Sequence, residues 1–178
     1  QPGPLKIIGQ GQLASSGLDL REAQQTSYDS AWNISRDRLR QGDILMCRSG
    51  MAGVARGRIS VCLDEPDAVV GSFVNRIAVT NIDPVWVMLA LRSQFMQIQI
   101  QRIINGVGTP NISFTEIRNL LIPVPAVEIQ VKITQCWQNK VTSLHKLWIA
   151  GNDSIINKMY DAVRELQSQV EQLIYISK

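Results

Sequence analysis

The sequence predicts an α+β protein: a mixed head with a curled, mostly antiparallel sheet, followed by one long coiled-coil-type α-helix. Three observations carry this prediction. Before Pro123-Val124-Pro125, short apolar runs alternate with Gly, Asn, Asp and Ser clusters, which is the texture of strands and turns. After Pro125, apolar residues recur every three or four positions, as in a helix seam. The chain has 178 residues, 45% of them apolar and 19% charged, enough to bury the core of one domain with an extension. The expected division is 1–124 for the head and 125–178 for the helix.

Within the head, Lys6-Ile7-Ile8, Asp43-Ile44-Leu45-Met46-Cys47, Ile59-Ser60-Val61-Cys62-Leu63 and Arg76-Ile77-Ala78-Val79 read as strands. Each has the length and β-branched content that strands favour. A helix follows, with Asp83 as its cap, Pro84 in its first turn and Trp86, Leu89, Ala90, Met96 and Ile100 as its apolar face. Ser113-Phe114-Thr115-Glu116 is a capping box, whose Ser and Glu satisfy each other's free amides, so a short helix is expected there. Leu120-Leu121-Ile122-Pro123 reads as extended, because the residue before a proline is pushed out of the helical region.

Beyond Pro125, a first apolar set (Trp137, Val141, Leu144, Trp148) and a second (Ile156, Met159, Val163, Leu166, Val170, Leu173) share a 3–4 spacing. Continuous, about 50 residues at 1.5 Å each give a rod of about 75 Å. Gly151-Asn152-Asp153 is its weak point. One reading carries the helix through, since an isolated glycine costs only about 1 kcal/mol. The other ends one helix at Gly151 and caps the next with Asp153, making a hairpin. On the continuous reading the second set is the helix-pairing surface, and it needs an equivalent helix to cover it.

Several function classes drop out on composition. No apolar run approaches the roughly 20 residues of a membrane span, and Gln1-Pro2-Gly3-Pro4 lacks the features of a secretory signal. Three scattered cysteines (Cys47, Cys62, Cys136) are no disulfide framework and point to a reducing, cytoplasmic setting. His145 stands alone among helical residues. No Cys-x-x-Cys, His-Glu-x-x-His or Asp-rich loop is present, so no metal is expected. Gly9-Gln10-Gly11 and Gly106-Val107-Gly108 lack the third glycine of a dinucleotide loop. Asp83-Pro84-Val85-Trp86 is similar to the Asp-Pro-Pro-aromatic loop of amino-methyltransferases, but the second proline is missing and no cofactor motif accompanies it. The expectation is a chain without catalysis of its own and without a cofactor.

Charge is distributed unevenly. Residues 36–58 hold six arginines against two aspartates, a local +4 in a chain whose net charge is +3. Arginine suits bidentate contacts with phosphate or guanine; a solvated face with scattered ion pairs would look the same.

Several segments together resemble the DNA specificity (S) subunits of type I restriction–modification systems. They are Ile7-Ile8-Gly9-Gln10, Gly17-Leu18-Asp19, the run from Gln41-Gly42-Asp43-Ile44-Leu45 through Arg48-Ser49-Gly50 to Gly53-Val54-Ala55, Leu89-Ala90-Leu91-Arg92-Ser93, Gly108-Thr109-Pro110-Asn111-Ile112 and Leu121-Ile122-Pro123-Val124-Pro125. Their joint order across nearly the whole chain carries the resemblance. It implies a target-recognition domain lacking its N-terminal part, followed by a spacer helix, about half of a full subunit. The implied partners are double-stranded DNA, methyltransferase (M) subunits that methylate adenine N6, restriction (R) subunits, and a second specificity half or a second copy of the chain.

Sequence-specific binding needs phosphate contacts for register and groups that reach base edges. Loops bearing Arg48, Ser49, Arg56, Arg58, Asn75, Arg76, Thr109 and Asn111 offer both and are the candidate DNA contacts. Two other readings stay open: the C-terminal recognition region of a fused type II methyltransferase–nuclease, and a helical protein-binding adaptor.

Overall fold

The computed structural model describes residues 4–26, 37–49, 58–104 and 111–176. The architecture is mixed α+β, with small sheets on one side and helices on the other. Strand β1 (Leu5–Ile8) lies between the antiparallel β4 (Gln24–Thr26) and the parallel β7 (Ala68–Val70). A two-stranded hairpin joins β2 (Leu13–Ala14) to β3 (Gly17–Leu18). In the third sheet, β5 (Ile44–Cys47) is flanked by β6 (Ile59–Val61) and β8 (Val74–Ile77), both antiparallel to it.

All four residues of β5 are buried. Its period-2 alternation serves two cores at once, because successive side chains leave a strand on opposite faces. Ile44 and Met46 enter the larger core with the helices. Leu45 enters a smaller one with Ile8, Leu13, Leu39, Cys62, Ala68 and Val74. A strand covered on both faces reads as an unbroken apolar run, which is how it stood out in the sequence. The last strand expected there, Arg76–Val79, is shifted: β8 pairs from Val74 (opposite Cys47) to Ile77 (opposite Ile44). Asn75 and Arg76 hid its start, and the short β2, β3, β4 and β7 carried too little local pattern to be seen.

The expected helix begins as read. The Asp83 carboxylate accepts from the amides of Val85 (2.8 Å) and Trp86 (3.2 Å), so the motif that resembled a base-binding loop is a helix cap. It ends earlier than expected, at Ser93. There α1 (Pro84–Arg92) gives way to α2 (Gln94–Arg102). The Ser93 hydroxyl donates to the Ala90 carbonyl and accepts from the Met96 amide, closing one helix and capping the next. Every residue of α1 from Val85 to Leu91 is buried. The Ser113–Glu116 capping box forms and starts α3 (Phe114–Arg118).

The long rod does not form. Helix α4 (Val127–Cys136) passes through a π-helical stretch, Trp137–Thr142, into α5 (Ser143–Ile149), and there the helix stops. Gly151 takes φ +97°, a left-handed conformation that a side chain would oppose. The amides of Gly151 and Asn152 bond back to the carbonyls of Trp148 (2.9 Å) and Leu147 (3.1 Å), satisfying the helix end. A 3₁₀ turn, Asp153–Ile155, starts the return helix α6 (Ile156–Ile176).

The helix-pairing surface is corrected accordingly. Met159, Val163, Leu166 and Val170 are buried in the core shared with Ile44, Met46, Trp86 and Trp137, while Ile156 and Leu173 are half-buried. The seam does face helices, but they are α1, α2, α4 and α5 and the π-helical stretch of the same chain. The segment after Pro125 is thus not an arm standing off the head; it completes the head's core.

Candidate nucleic-acid interface

At one end of the third sheet three chain segments leave together. The Cys47 amide bonds to the Arg58 carbonyl (3.0 Å) and the Arg48 amide to the Phe73 carbonyl (3.0 Å), so Arg48 lies between the start of β6 and the start of β8. A fourth segment joins it. Ser49 pairs as an antiparallel bridge with Asn111, and the Ile112 amide donates to the Arg48 carbonyl at 3.0 Å.

Side chains knit the same end. The Arg48 guanidinium donates to the Asn111 side-chain oxygen at 3.3 Å. Gln10, from the turn after β1, donates its side-chain amide to the Ser49 carbonyl, and its own carbonyl accepts from Arg58 at 3.3 Å. Among the described residues neither Arg48 nor Arg58 is paired with a carboxylate. Two uncompensated guanidinium groups, a hydroxyl and an exposed carboxamide therefore share one patch with the ring of Phe73, which is 59% exposed. Cations of this kind meet phosphate, and the amide and guanidinium forks match base edges.

The structure brings together four of the candidate contacts: Arg48, Ser49, Arg58 and Asn111. Arg56 and Thr109 lie outside the described residues. Asn75 and Arg76 leave the set. Asn75 is fully buried in β8, with neither end of its amide bonded among the described residues. Arg76 is turned to Asp43, 3.1 Å from both carboxylate oxygens. Asp43 is itself buried and also accepts from the Arg40 amide at 2.8 Å. Arg76 thus serves as the counter-charge of a buried acid. Gln10 and Phe73 were missed, since nothing local in the sequence marks residues whose role depends on a neighbour tens of positions away.

Cys47, Cys62 and His145 are enclosed within the fold. Burial pushes the Cys47 thiol up to about 11 and the Cys62 thiol up to about 12, so neither is a nucleophile at neutral pH. His145 is buried, with Nδ1 2.8 Å from the Ser16 hydroxyl and Nε2 3.2 Å from the Leu18 carbonyl. Its desolvation holds the pKa below the ordinary histidine value, partly opposed by the Leu18 hydrogen bond. Among the described residues no three His, Cys, Asp or Glu side chains are grouped to hold a metal ion. Nor is any helix among them long and apolar enough to cross a membrane.

The chain is thus a small α+β domain completed by a helical hairpin, with a cationic patch at the end of one sheet. Neither a family model nor a curated protein matches the chain. Solved structures do. The HsdS subunit of Thermoanaerobacter tengcongensis superposes with a TM-score of 0.57 at 16% identity, over 82% of this chain and 37% of that one. A structure describing complex assembly and conformational transition of the type I R-M system superposes with 0.55 at 17% identity, over 82% of this chain and 38% of that one. The chain therefore has the fold of a type I S subunit's recognition domain with its helical region, and it spans little more than a third of the length of those proteins.

Proposed function

We propose that this chain is a sequence-specific DNA-recognition module, one half of a type I specificity subunit. In this reading it performs no catalysis and works in the cytoplasm. It directs partner adenine-N6 methyltransferase subunits, with a restriction translocase as a further partner, to one part of a split target. The observation that carries the reading is the convergence of Arg48, Ser49, Arg58 and Asn111 at one sheet end, on a backbone shared with HsdS. Phosphate contacts by the arginines set register, and Asn111 and Ser49 supply donors and acceptors of the size that reads a base edge. Arg56 and Thr109 belong to the same proposed contact set by their place in the sequence.

The test is a map of modified adenines in genomic DNA from the source cell, with and without the gene. A split motif whose methylation disappears with the gene supports the reading. An unchanged map refutes it.

A further inference from the structure

The bond between Arg48 and Asn111 fixes more than the position of either residue. The Asn111 backbone is pinned by its bridge to Ser49 and by the Ile112 amide, which donates to the Arg48 carbonyl at 3.0 Å. Its side chain is exposed and keeps one freedom, the choice of which end of the amide faces which way. Arg48 makes that choice, because its guanidinium Nε–H donates to Asn111 Oδ1 at 3.3 Å. Half a turn of the amide would set the Nδ2 hydrogens against that N–H, donor against charged donor. It would also forfeit a charge-assisted hydrogen bond. Oδ1 therefore stays on Arg48, and Nδ2, with its two N–H donors, is the end presented to a ligand.

A fixed amide narrows the bases that such an asparagine can read. In the major groove, asparagine grips adenine with both ends of its amide, Oδ1 accepting from N6 and Nδ2 donating to N7. Here Oδ1 is committed to Arg48, and the guanidinium beside it repels the partly positive amino group of adenine or cytosine. Guanine presents the opposite edge, with two adjacent acceptors, O6 and N7. That edge accepts from Nδ2 and is drawn to the neighbouring cation. Thymine has only one acceptor there, beside a methyl group. Arg58, at the same sheet end and paired with no carboxylate among the described residues, adds a potential of the same sign.

We propose that Asn111, oriented by Arg48, reads a guanine, so that the part of the target bound by this chain holds a G·C pair at one fixed position. Asn111 is the base-contacting residue and Arg48 its positioning residue, whose terminal nitrogens are left for phosphate. The assignment rests on the DNA-recognition reading and names what one of its contacts recognises.

Asn111→Asp reverses the sense of the hydrogen bond without changing the shape of the side chain. The carboxylate keeps one oxygen on Arg48 and turns an acceptor, in place of Nδ2, towards the base. Modified adenines are mapped in cells carrying the wild-type gene, the variant gene or neither, with the full chain in its assembled complex. In the variant, guanine at one position of the motif is expected to give way to cytosine, whose N4 amino group donates to a carboxylate. Every other position keeps its base. Arg48→Met is the second variant. It releases the amide, so adenine becomes acceptable at the same position, and the preference for guanine over adenine there falls about tenfold. Loss of a phosphate contact weakens all sequences alike and leaves that ratio unchanged. A ratio unmoved by Arg48→Met overturns the proposal. So does a motif that Asn111→Asp leaves as it was, or one that it erases at every site alike while the thermal midpoint of the chain is unchanged. A wild-type motif with no guanine in this chain's part of the target also overturns it, while leaving the DNA-recognition reading in place. If no motif depends on the gene, that reading itself fails, and the assignment with it.

Discussion

Replacing Leu166 by Ala separates a helix that completes the head from one that awaits a partner. Leu166 is fully buried in the core shared with Trp86, Trp137 and Met46. The change removes about three carbons, each worth about 0.8 kcal/mol of transfer free energy. A fully enclosed site collapses only partly, and the residual cavity brings the expected loss to about 3 to 4 kcal/mol. Against a domain stability of about 5 to 15 kcal/mol, that is a large fraction. Urea unfolding followed by far-ultraviolet circular dichroism reads it directly, with the exposed Ser168→Ala on the same helix as the control. In sedimentation the variant should keep the association state of the wild type. If Leu166→Ala costs less than about 1 kcal/mol and instead abolishes self-association, the seam belongs to an intermolecular helix pair and the hairpin is wrong.

The same geometry sets further outcomes. Gly151→Ala should cost about 1 to 2 kcal/mol, because φ +97° is strained for any side chain even though open space surrounds the site; chemical denaturation checks it. Asp43→Ala should cost about 2 to 4 kcal/mol, since it takes away the buried carboxylate that bonds both the Arg76 guanidinium and the Arg40 amide. Arg76→Ala, measured the same way, should destabilise the fold before it alters DNA preference. Because the folded-state pKa of His145 lies below its unfolded value, the folded form resists protonation. Stability should therefore be full above about pH 6.5 and fall as pH drops below it, a slope that His145→Gln flattens in urea midpoints taken between pH 7.5 and 5.5. Arg48→Ala and Arg58→Ala, in the assembled complex, should each weaken binding to all duplexes if they contact phosphate. Each should then lower the log–log salt slope by about one unit; unchanged affinity in the double variant returns both to an ordinary solvated face.

Local features were legible in the residues alone. The Asp83 and Ser113 caps, the unbroken apolar run of β5 and the helical texture after Pro125 all act within a few residues, so pattern and capping chemistry suffice to read them. The ordered motifs from Gly42-Asp43-Ile44 to Pro123 likewise pointed to the S-subunit fold. Whatever depended on a distant partner emerged only from packing. The 3–4 spacing of α6 shows that a seam must be covered, but periodicity is silent on whether the cover is another chain or the same one. Here the left-handed turn at Gly151 returns the helix onto α1, and burial of Met159, Leu166 and Val170 against the sheet's own helices fixes the outcome. The same holds at the proposed DNA face. Arginine content marked residues 36–58, yet only packing separates Arg48 and Arg58, left without acids among the described residues, from Arg76, which neutralises a buried aspartate, because a charge's role is set by what lies within a few ångströms of it.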